Sequence, residues 1–559
     1  MNRSRRARDE QDHGEAGLVT AAAILISLAS FLWFYSRGDI LLYGDAVAHL
    51  NIARRIFDAR DPGWDMLGSV WLPLPHLLIA PFVFFDGLWR TGIGGSIPSM
   101  VAYVLAVGGL FRMVRARASM GAAFLATAIF ALNPSLLYMQ STAMTETIFL
   151  AAVIWAVGYF DEFLRGLSEA QNGDEGSDAI PAWLALERSG VCLAAAIFTR
   201  YDGWILAFVV GLCAVPTVLL WRGALDSPGE ALRLRRSLVS FLLLMALCPT
   251  LWLAHNYKIN KHPLDWLNGP YSAKAIEQRT SVPGMPPYPG KGHPVVAAEY
   301  FLKSARMNTG EGLRESWLMA LAVAGVLISL VHFRRFGAFL LLWVPLPFYA
   351  WSIAYGSVPI FVPEWWPYSY YNVRYGLELL PAIAIFAALV PWSLGQLRRR
   401  GLGAAAMAIC WVIATAAYLS SAQGLGPRSQ QHEYGRHWMI PICYREAWVN
   451  SRGRLQLEHQ VAQALERMPD DAKVMIYTGE YVGALQQAGV HFTRTVNEST
   501  RYGWDAALSA PWAVADFVVA IKGDPVDRAV ERNPRGLTKL SIIHVLDKPE
   551  VCIYRSQRR

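Results

Sequence analysis

The sequence predicts a mainly α protein: a polytopic transmembrane helical bundle of about eleven spans, followed by a small extracytoplasmic α/β domain. Two features of composition indicate this: 54% of the 559 residues are hydrophobic and only 17% are charged, whereas soluble domains carry about 25%. A third observation is how the apolar residues are distributed. Apolar stretches of about 18–22 residues, each long enough to cross a bilayer as a helix, recur up to residue 421. Ordinary soluble enzymes and disordered chains are therefore excluded.

The first span follows a basic N-terminal tail. Residues 1–17 contain Arg3, Arg5, Arg6 and Arg8, and they are predicted to be cytoplasmic. The apolar run from Leu18 to Tyr35 has no small-residue cleavage site after it, so we predict a retained span. Further spans are predicted at 97–112, 119–139, 143–164, 182–199, 203–221, 238–255, 316–332, 337–355, 376–396 and 402–421.

Loop charge supports this topology. Among the short loops, those predicted to be outside hold Arg200, Arg374 and little else, whereas those predicted to be inside hold Arg112, Arg115, Arg117, Arg222, Arg233, Arg235, Arg236, Arg334, Arg335 and Arg398–Arg400. This is the asymmetry expected of a bacterial-type inner or plasma membrane protein. It also requires that residues 69–90 lie in the first external loop (37–96) as an interfacial or re-entrant helix. The net charge of +8 then reflects these loops, and no nucleic-acid partner is expected.

The ionisable residues near membrane depth gather at one surface of the predicted bundle, the external one. Such residues are energetically costly and tend to be functional. The candidates are Asp45, His49, Glu146, Arg200, Asp202, Arg374, Tyr375 and Glu378.

Each candidate also has a structural explanation. Asp45 could cap the helix that it opens, and Glu146 could be a first-turn acid favoured by the helix dipole. Arg200 and Asp202 could simply pair, Arg374 could snorkel, and His49 could be a supporting hydrogen-bond partner. Because all of these residues are predicted to lie at the same membrane surface, a shared functional site is favoured over these separate explanations.

The order of these residues resembles the GT-C superfamily of membrane glycosyltransferases over nearly the whole chain. The resemblance rests on Gly44-Asp45 in a long first loop, Thr145-Glu146 in the second external loop, the Asn133-Pro134 end of the third span and Arg374-Tyr375 before a late span. A small external C-terminal domain adds to it. The chain looks most like bacterial relatives of protein O-mannosyltransferases and of lipid A aminoarabinose transferase.

The resemblance implies transfer of a hexosyl or pentosyl group from a polyprenyl-phosphate sugar to an acceptor at the external face. Asp45 would be the base of an inverting displacement, with Glu146 as a second catalytic acid. Arg374 and Arg200 would hold the lipid phosphate, and His49, Asp202, Tyr375 and Glu378 would line the substrate site. No cofactor is certain; Asp45 and Glu146 could instead share a divalent metal, as in oligosaccharyltransferase relatives.

The acceptor stays open as a glycan, lipid or protein. Protein O-mannosyltransferases carry adjacent Asp-Glu in the first loop, but Asp45 is followed by Ala46. The sequon-reading Trp-Trp-Asp-Tyr-Gly motif of oligosaccharyltransferases has no match here, which disfavours asparagine glycosylation. A transporter or flippase of lipid-linked sugars is the alternative function, although transporters tend to place ionisable residues near the midplane.

Two external segments complete the prediction. The loop 256–315 is long enough to suggest a lid or an acceptor groove, with a disordered spacer as the alternative. The domain 430–559 is predicted to have strands at 473–478, 516–521, 541–546 and 551–554, with helices near 480–488 and 525–532. Cys443 and Cys552 lie in this domain, and the sequence leaves open whether they form a disulfide.

Overall fold

The computed structural model describes residues 2–171, 180–221, 228–281, 283–397, 401–422, 440–479, 481–500 and 503–557. Arg222 and Arg398–Arg400, which contribute to the predicted inside charge, lie outside the described residues, as do the side chains of the arginines before residue 14.

Helices make up most of the chain. The first ten are α1 (Asn2–Ser36), α2 (Gly44–Asp58), α3 (Pro73–Val83), α4 (Asp86–Thr91), α5 (Ile93–Arg115), α6 (Met120–Ala131), α7 (Pro134–Met139), α8 (Glu146–Gln171), α9 (Ala182–Ile197) and α10 (Asp202–Leu219). The next nine are α11 (Pro228–Asn260), α12 (Asp265–Asn268), α13 (Ala273–Thr280), α14 (Pro294–Met307), α15 (Trp317–Val331), α16 (Phe333–Phe336), α17 (Pro345–Tyr355), α18 (Leu380–Gly395) and α19 (Leu402–Ala422). Short 3-10 turns precede α2, α15, α17 and α18, at Asp39–Leu41, Gly312–Ser316, Gly337–Trp343 and Val373–Leu379.

Within the described residues, nine helical segments are long and apolar enough to cross a membrane. They coincide with nine of the predicted spans. The other two predicted spans also form helices, but α6 has 12 residues and α9 has 16. The predicted helical bundle is therefore confirmed, although nine rather than eleven of its described helical segments reach spanning length. Asn133 ends the α6 segment because its side chain caps α7 by accepting from the Leu136 amide at 2.9 Å.

The stretch 69–90 does not form a spanning helix. It is divided between α3, which has 11 residues, and α4, which has 6. At 1.5 Å per residue, α3 is about 16 Å long, against a hydrocarbon core of about 30 Å. Three prolines in α3, with Pro81 inside the helix, limit its length.

The segment Val373–Gly395 lies at the centre of the bundle. It is 83% buried, compared with 28% for the first span. The 3-10 turn at its start packs so closely on α14 that a Cβ on Gly376 would clash with the backbone of Ala305. Glycine at this position therefore lets the chain bring the turn, with its charged residues, into the protein interior.

The C-terminal segment consists of a long helix and a small sheet. Its helices are α20 (Ile442–Leu465), α21 (Gly483–Ala488), α22 (Trp504–Ser509), α23 (Pro511–Val514) and α24 (Pro525–Arg532); its strands are β1 (Val474–Ile476), β2 (Thr495–Val496), β3 (Phe517–Ile521), β4 (Leu537–Ile543) and β5 (Val551–Ser556). The strand order is β2-β1-β3-β5-β4. Strand β1 is parallel to β2 and β3, and β5 is antiparallel to β3 and β4.

The sequence predicted four of these strands and two of these helices, but it missed β2 and the helices α20, α22 and α23. It placed β4 at 541–546, four residues late, because antiparallel pairing with β5 sets the strand's true start. Cys443 and Cys552 are both free. The Cys443 thiol donates to Asn308 Oδ1 at 3.1 Å, so these cysteines do not form a disulfide.

The close approach at Gly376 gives a stability prediction. Gly376→Ala forces the turn away from α14, so we expect a loss of about 1–3 kcal/mol, seen as a lower melting temperature of the detergent-purified protein. Gly229→Ala is the matched control, because a Cβ there meets no atom within 4 Å. Equal melting temperatures for the two variants would contradict this packing.

Candidate functional site

Four helix starts position the predicted site residues. Asp45 lies in the first turn of α2, Glu146 begins α8 and Asp202 begins α10. Arg374 and Glu378 lie on the 3-10 turn that leads into α18. Carboxylates are favoured in the first turn of a helix, where the backbone dipole is positive. The turns meet at one end of the bundle, and the side chains form one ion-pair network.

Arg374 is bonded by three carboxylates. Its Nη2 donates to Asp45 Oδ2 at 2.6 Å, its Nε to Glu146 Oε1 at 3.1 Å and its Nη1 to Glu446 Oε1 at 3.4 Å. The second oxygen of Glu446 accepts from the Arg374 backbone amide at 3.3 Å and from the Tyr43 hydroxyl at 3.0 Å. Arg374 is 7% exposed, so these charges compensate one another away from water.

Arg200 forms the second half of the network. Its Nη1 lies 3.4 Å from Glu146 Oε1, its Nε 3.4 Å from Asp202 Oδ2 and its Nη2 3.0 Å from Glu378 Oε1. Nη2 also donates to the Tyr349 hydroxyl at 2.7 Å, and that hydroxyl donates to Glu378 Oε1 at 2.7 Å. Glu146 Oε1 thus joins the Arg200 and Arg374 halves.

The Tyr375 ring packs against both guanidiniums. The Arg200 and Arg374 guanidinium carbons lie 4.9 Å and 5.0 Å from its ring centroid, within the range of cation–π attraction. The ring therefore stabilises both cations of the cluster.

Exposure distinguishes the carboxylates of this network from one another. The Asp45 side chain is 40% exposed, whereas those of Glu146, Asp202, Glu378 and Glu446 are between 0% and 3% exposed. Within the cluster, Asp45 is therefore the acid that a bound molecule can reach without rearrangement. The remaining oxygens of Glu146 and Glu378, both Oε2, are buried and have no hydrogen-bond partner among the described residues.

Charge in the cluster is unbalanced, since five carboxylates surround two guanidiniums. Outside the spans, burial raises the pKa of Glu446, which the Arg374 guanidinium and the hydrogen bond from Tyr43 oppose. A network of this kind remains stable only while each buried charge keeps its partners.

His49 lies beside the network and is not bonded into it. Its Nδ1 is 2.9 Å from His76 Nε2, and its ring centroid is 4.8 Å from that of Trp71. Burial, followed by the charges of Arg374 and Arg200, lowers the pKa of His49 to about 3. The ring is therefore neutral at physiological pH, as suits the supporting hydrogen-bond role that the sequence left open.

A shared divalent metal does not fit the geometry of Asp45 and Glu146. The Arg374 guanidinium lies between them and bonds to one oxygen of each. Among the residues that the structure describes, no group of three or more His, Cys, Asp or Glu side chains is arranged to hold a metal ion. The positive charge between the two acids is thus supplied by arginine.

The structure unites seven of the eight predicted residues and adds two that sequence reasoning missed. Tyr349 lies within an apolar span, where an aromatic residue reads as packing. Glu446 lies in a segment of ordinary polar composition, where a glutamate carries no signal of burial. Neither could be found without knowing which helices meet.

Comparison with known proteins identifies the fold. ArnT from Cupriavidus metallidurans, in a crystal structure bound to undecaprenyl phosphate, aligns with 97% of this chain and 98% of its own, at 13% identity and a TM-score of 0.54. The Archaeoglobus fulgidus oligosaccharyltransferase in its apo form (TM-score 0.47) and its AglB complex with an inhibitory peptide and a dolichol-phosphate (0.45) each align with 90% of this chain and 69% of their own, at 13% identity. No family model and no curated protein matches the chain.

The likeness to ArnT shows the fold. The chain has the fold of ArnT, and its nine long apolar helical segments among the described residues support an integral membrane protein, as its sequence predicted.

The network gives a second stability prediction. Arg374→Ala leaves Asp45, Glu146 and Glu446 without their shared cation, so we expect a loss of about 3–5 kcal/mol and a clearly lower melting temperature. Lys258→Ala is the control: the Lys258 side chain is 69% exposed and pairs with Asp65, which is 25% exposed, and such a surface pair contributes about 0–1 kcal/mol. Equal destabilisation by the two variants would show that Arg374 does not hold the cluster together.

Proposed function

We propose that the protein transfers a sugar from a polyprenyl-phosphate donor to an acceptor hydroxyl at the external membrane face, with Asp45 as the base. The observation that carries this proposal is the geometry of Asp45: an exposed carboxylate, fixed at one oxygen by a buried arginine, at the end of a GT-C-type bundle. The bound undecaprenyl phosphate of the ArnT structure supports a polyprenyl-phosphate donor.

The reaction requires little more than a base and a place for the phosphate. Polyprenyl phosphate is a good leaving group, so the acceptor oxygen can displace it at the anomeric carbon in one step. Asp45 Oδ2 accepts from Arg374, which leaves Oδ1 to take the proton of the attacking hydroxyl. One displacement inverts the anomeric centre: the new bond forms on the face opposite the departing phosphate.

Arg374 is the proposed contact for the donor phosphate. A guanidinium has five N–H groups, and the described partners of Arg374 take one each from Nε, Nη1 and Nη2. One N–H on each terminal nitrogen can still donate to a phosphate oxygen, a pairing for which the guanidinium fork is suited.

The buried acids act on the substrate indirectly in this proposal. Glu146, predicted as a second catalytic acid, has a fully buried side chain, so we assign it the role of joining Arg374 to Arg200. Asp202 and Glu378 hold Arg200 in place and Tyr375 contacts both guanidiniums, and these three residues need not touch the donor. The identity of the sugar and the class of acceptor (glycan, lipid or protein) are set by groups beyond this cluster.

Asp45→Asn tests the base. The amide keeps the shape of the side chain but cannot accept a proton, so kcat should fall about 10²- to 10⁴-fold. The assay follows radiolabelled sugar released from a panel of polyprenyl-phosphate hexoses and pentoses by protein in lipid nanodiscs. Asp86→Asn is the control, because Asp86 is also exposed, at 55%, and paired with an arginine, Arg54. Wild-type protein that transfers no sugar from any donor would contradict the function; full activity in Asp45→Asn would contradict the base.

The stereochemistry of the product tests the single displacement. With Asp45 as base and no covalent intermediate, the anomeric configuration of the transferred sugar should be opposite to that in the donor. NMR coupling constants of the anomeric proton in the product measure this directly. A product that retains the donor's configuration would rule out this mechanism and indicate two successive displacements.

A further inference from the structure

We infer that Glu446, at the start of α20, is a positioning residue for the reaction, so that the C-terminal segment forms part of the active site. This inference rests on the function proposed above. Glu446 is far from the other site residues in sequence and was not among the candidates that the sequence supplied.

Both carboxylate oxygens of Glu446 contact the site. Oε1 is 3.4 Å from Arg374 Nη1, and Oε2 accepts from the Arg374 backbone amide at 3.3 Å and from the Tyr43 hydroxyl at 3.0 Å. One side chain therefore fixes both the backbone and the guanidinium of Arg374. Arg374 bonds directly to Asp45 at 2.6 Å. Glu446 therefore influences the orientation of the proposed base through one intervening residue.

The same helix also holds the chain that leads to Asp45. The Tyr43 hydroxyl also lies 2.8 Å from the Cys443 carbonyl oxygen, so its single proton is shared between that carbonyl and Glu446 Oε2. Two turns further along α20, Arg454 Nη2 donates to the carbonyls of Leu41 and Leu42 at 3.0 Å and 2.9 Å. Helix α20 therefore anchors the segment that places Asp45 in the first turn of α2.

Burial of the first two turns of α20 shows that this end of the helix is packed into the protein and does not rest on its surface. Its first six residues, Ile442 to Ala447, are all buried, whereas a helix on the surface of a domain keeps one face exposed. A glutamate that is 1% exposed is costly to bury compared with an apolar side chain of similar size. An apolar side chain would satisfy packing at position 446, whereas a carboxylate is needed to orient Arg374.

Loss of this charge should affect catalysis more than binding or folding. With a neutral group at position 446, Arg374 Nη1 loses its carboxylate, and the guanidinium can turn toward Asp45 or Glu146. A base displaced by about 1 Å can cost about 100-fold in rate. Arg374 keeps its two remaining terminal N–H groups for the donor phosphate, so the apparent affinity for the donor should change less than kcat.

The test is Glu446→Gln in the nanodisc assay, with Tyr43→Phe as a second, milder variant. Glutamine keeps the size and the acceptor for Tyr43 but removes the charge. We expect kcat to fall about 10- to 100-fold, with KM for the donor within about 2-fold and the melting temperature close to that of wild type. Tyr43→Phe, which removes one hydroxyl, should lower kcat in the same direction by less.

Asp161→Asn is the matched control. Asp161 is also buried, at 3%, and bonded to an arginine, Arg117, at 2.7 Å and 2.8 Å, but at a different part of the bundle. It should leave kcat and KM unchanged.

The outcomes separate the two proposals. Wild-type protein without transferase activity overturns the proposed function and this inference with it. Active wild type with an unchanged kcat in Glu446→Gln overturns the inference alone. So does a variant whose only defect is a lower melting temperature or a smaller folded fraction, because that result assigns Glu446 a purely structural role.

Discussion

The Arg374 guanidinium is shared by three carboxylates that come from three distant parts of the chain. Asp45 follows the first span, Glu146 begins α8, and Glu446 belongs to the C-terminal segment. A guanidinium buried in a membrane protein requires such partners, because an unpaired charge there is too costly. Satisfying this one cation therefore fixes how the three segments meet, and the remaining geometry of the site depends on it.

The buried and the exposed groups of the network have different roles. Four carboxylates, two guanidiniums and the Tyr375 ring form a largely buried frame, and Asp45 is the acid on its open side. Preorganisation of this kind is what a displacement reaction needs, since the base must be oriented before the acceptor arrives. Gly376 serves the same end, because the close approach that it allows brings the 3-10 turn carrying Arg374 into the bundle.

Most of the fold and of the candidate site could be predicted from sequence, because charged residues are easily recognised against long apolar runs. In a chain with so few charges, Asp45, Glu146 and Arg374 stand out at the ends of apolar runs, and their common side follows from loop arginines. Glu446 has no such contrast, since its neighbours are ordinary polar residues and the helix that carries it was not predicted. Contacts between helices far apart in sequence, such as those of α20 with the segment before α2, depend on tertiary packing that no local pattern encodes.

The most direct measurement is an experimental structure of the wild-type protein in lipid nanodiscs with polyprenyl phosphate bound. If the ion-pair network is the active site, a phosphate oxygen should lie within hydrogen-bond distance of a terminal nitrogen of Arg374, with Asp45 and Glu446 both still paired to that arginine. A phosphate bound away from Arg374, or an Asp45 that leaves Arg374 when the lipid binds, would contradict the claim that this ion-pair network is the active site.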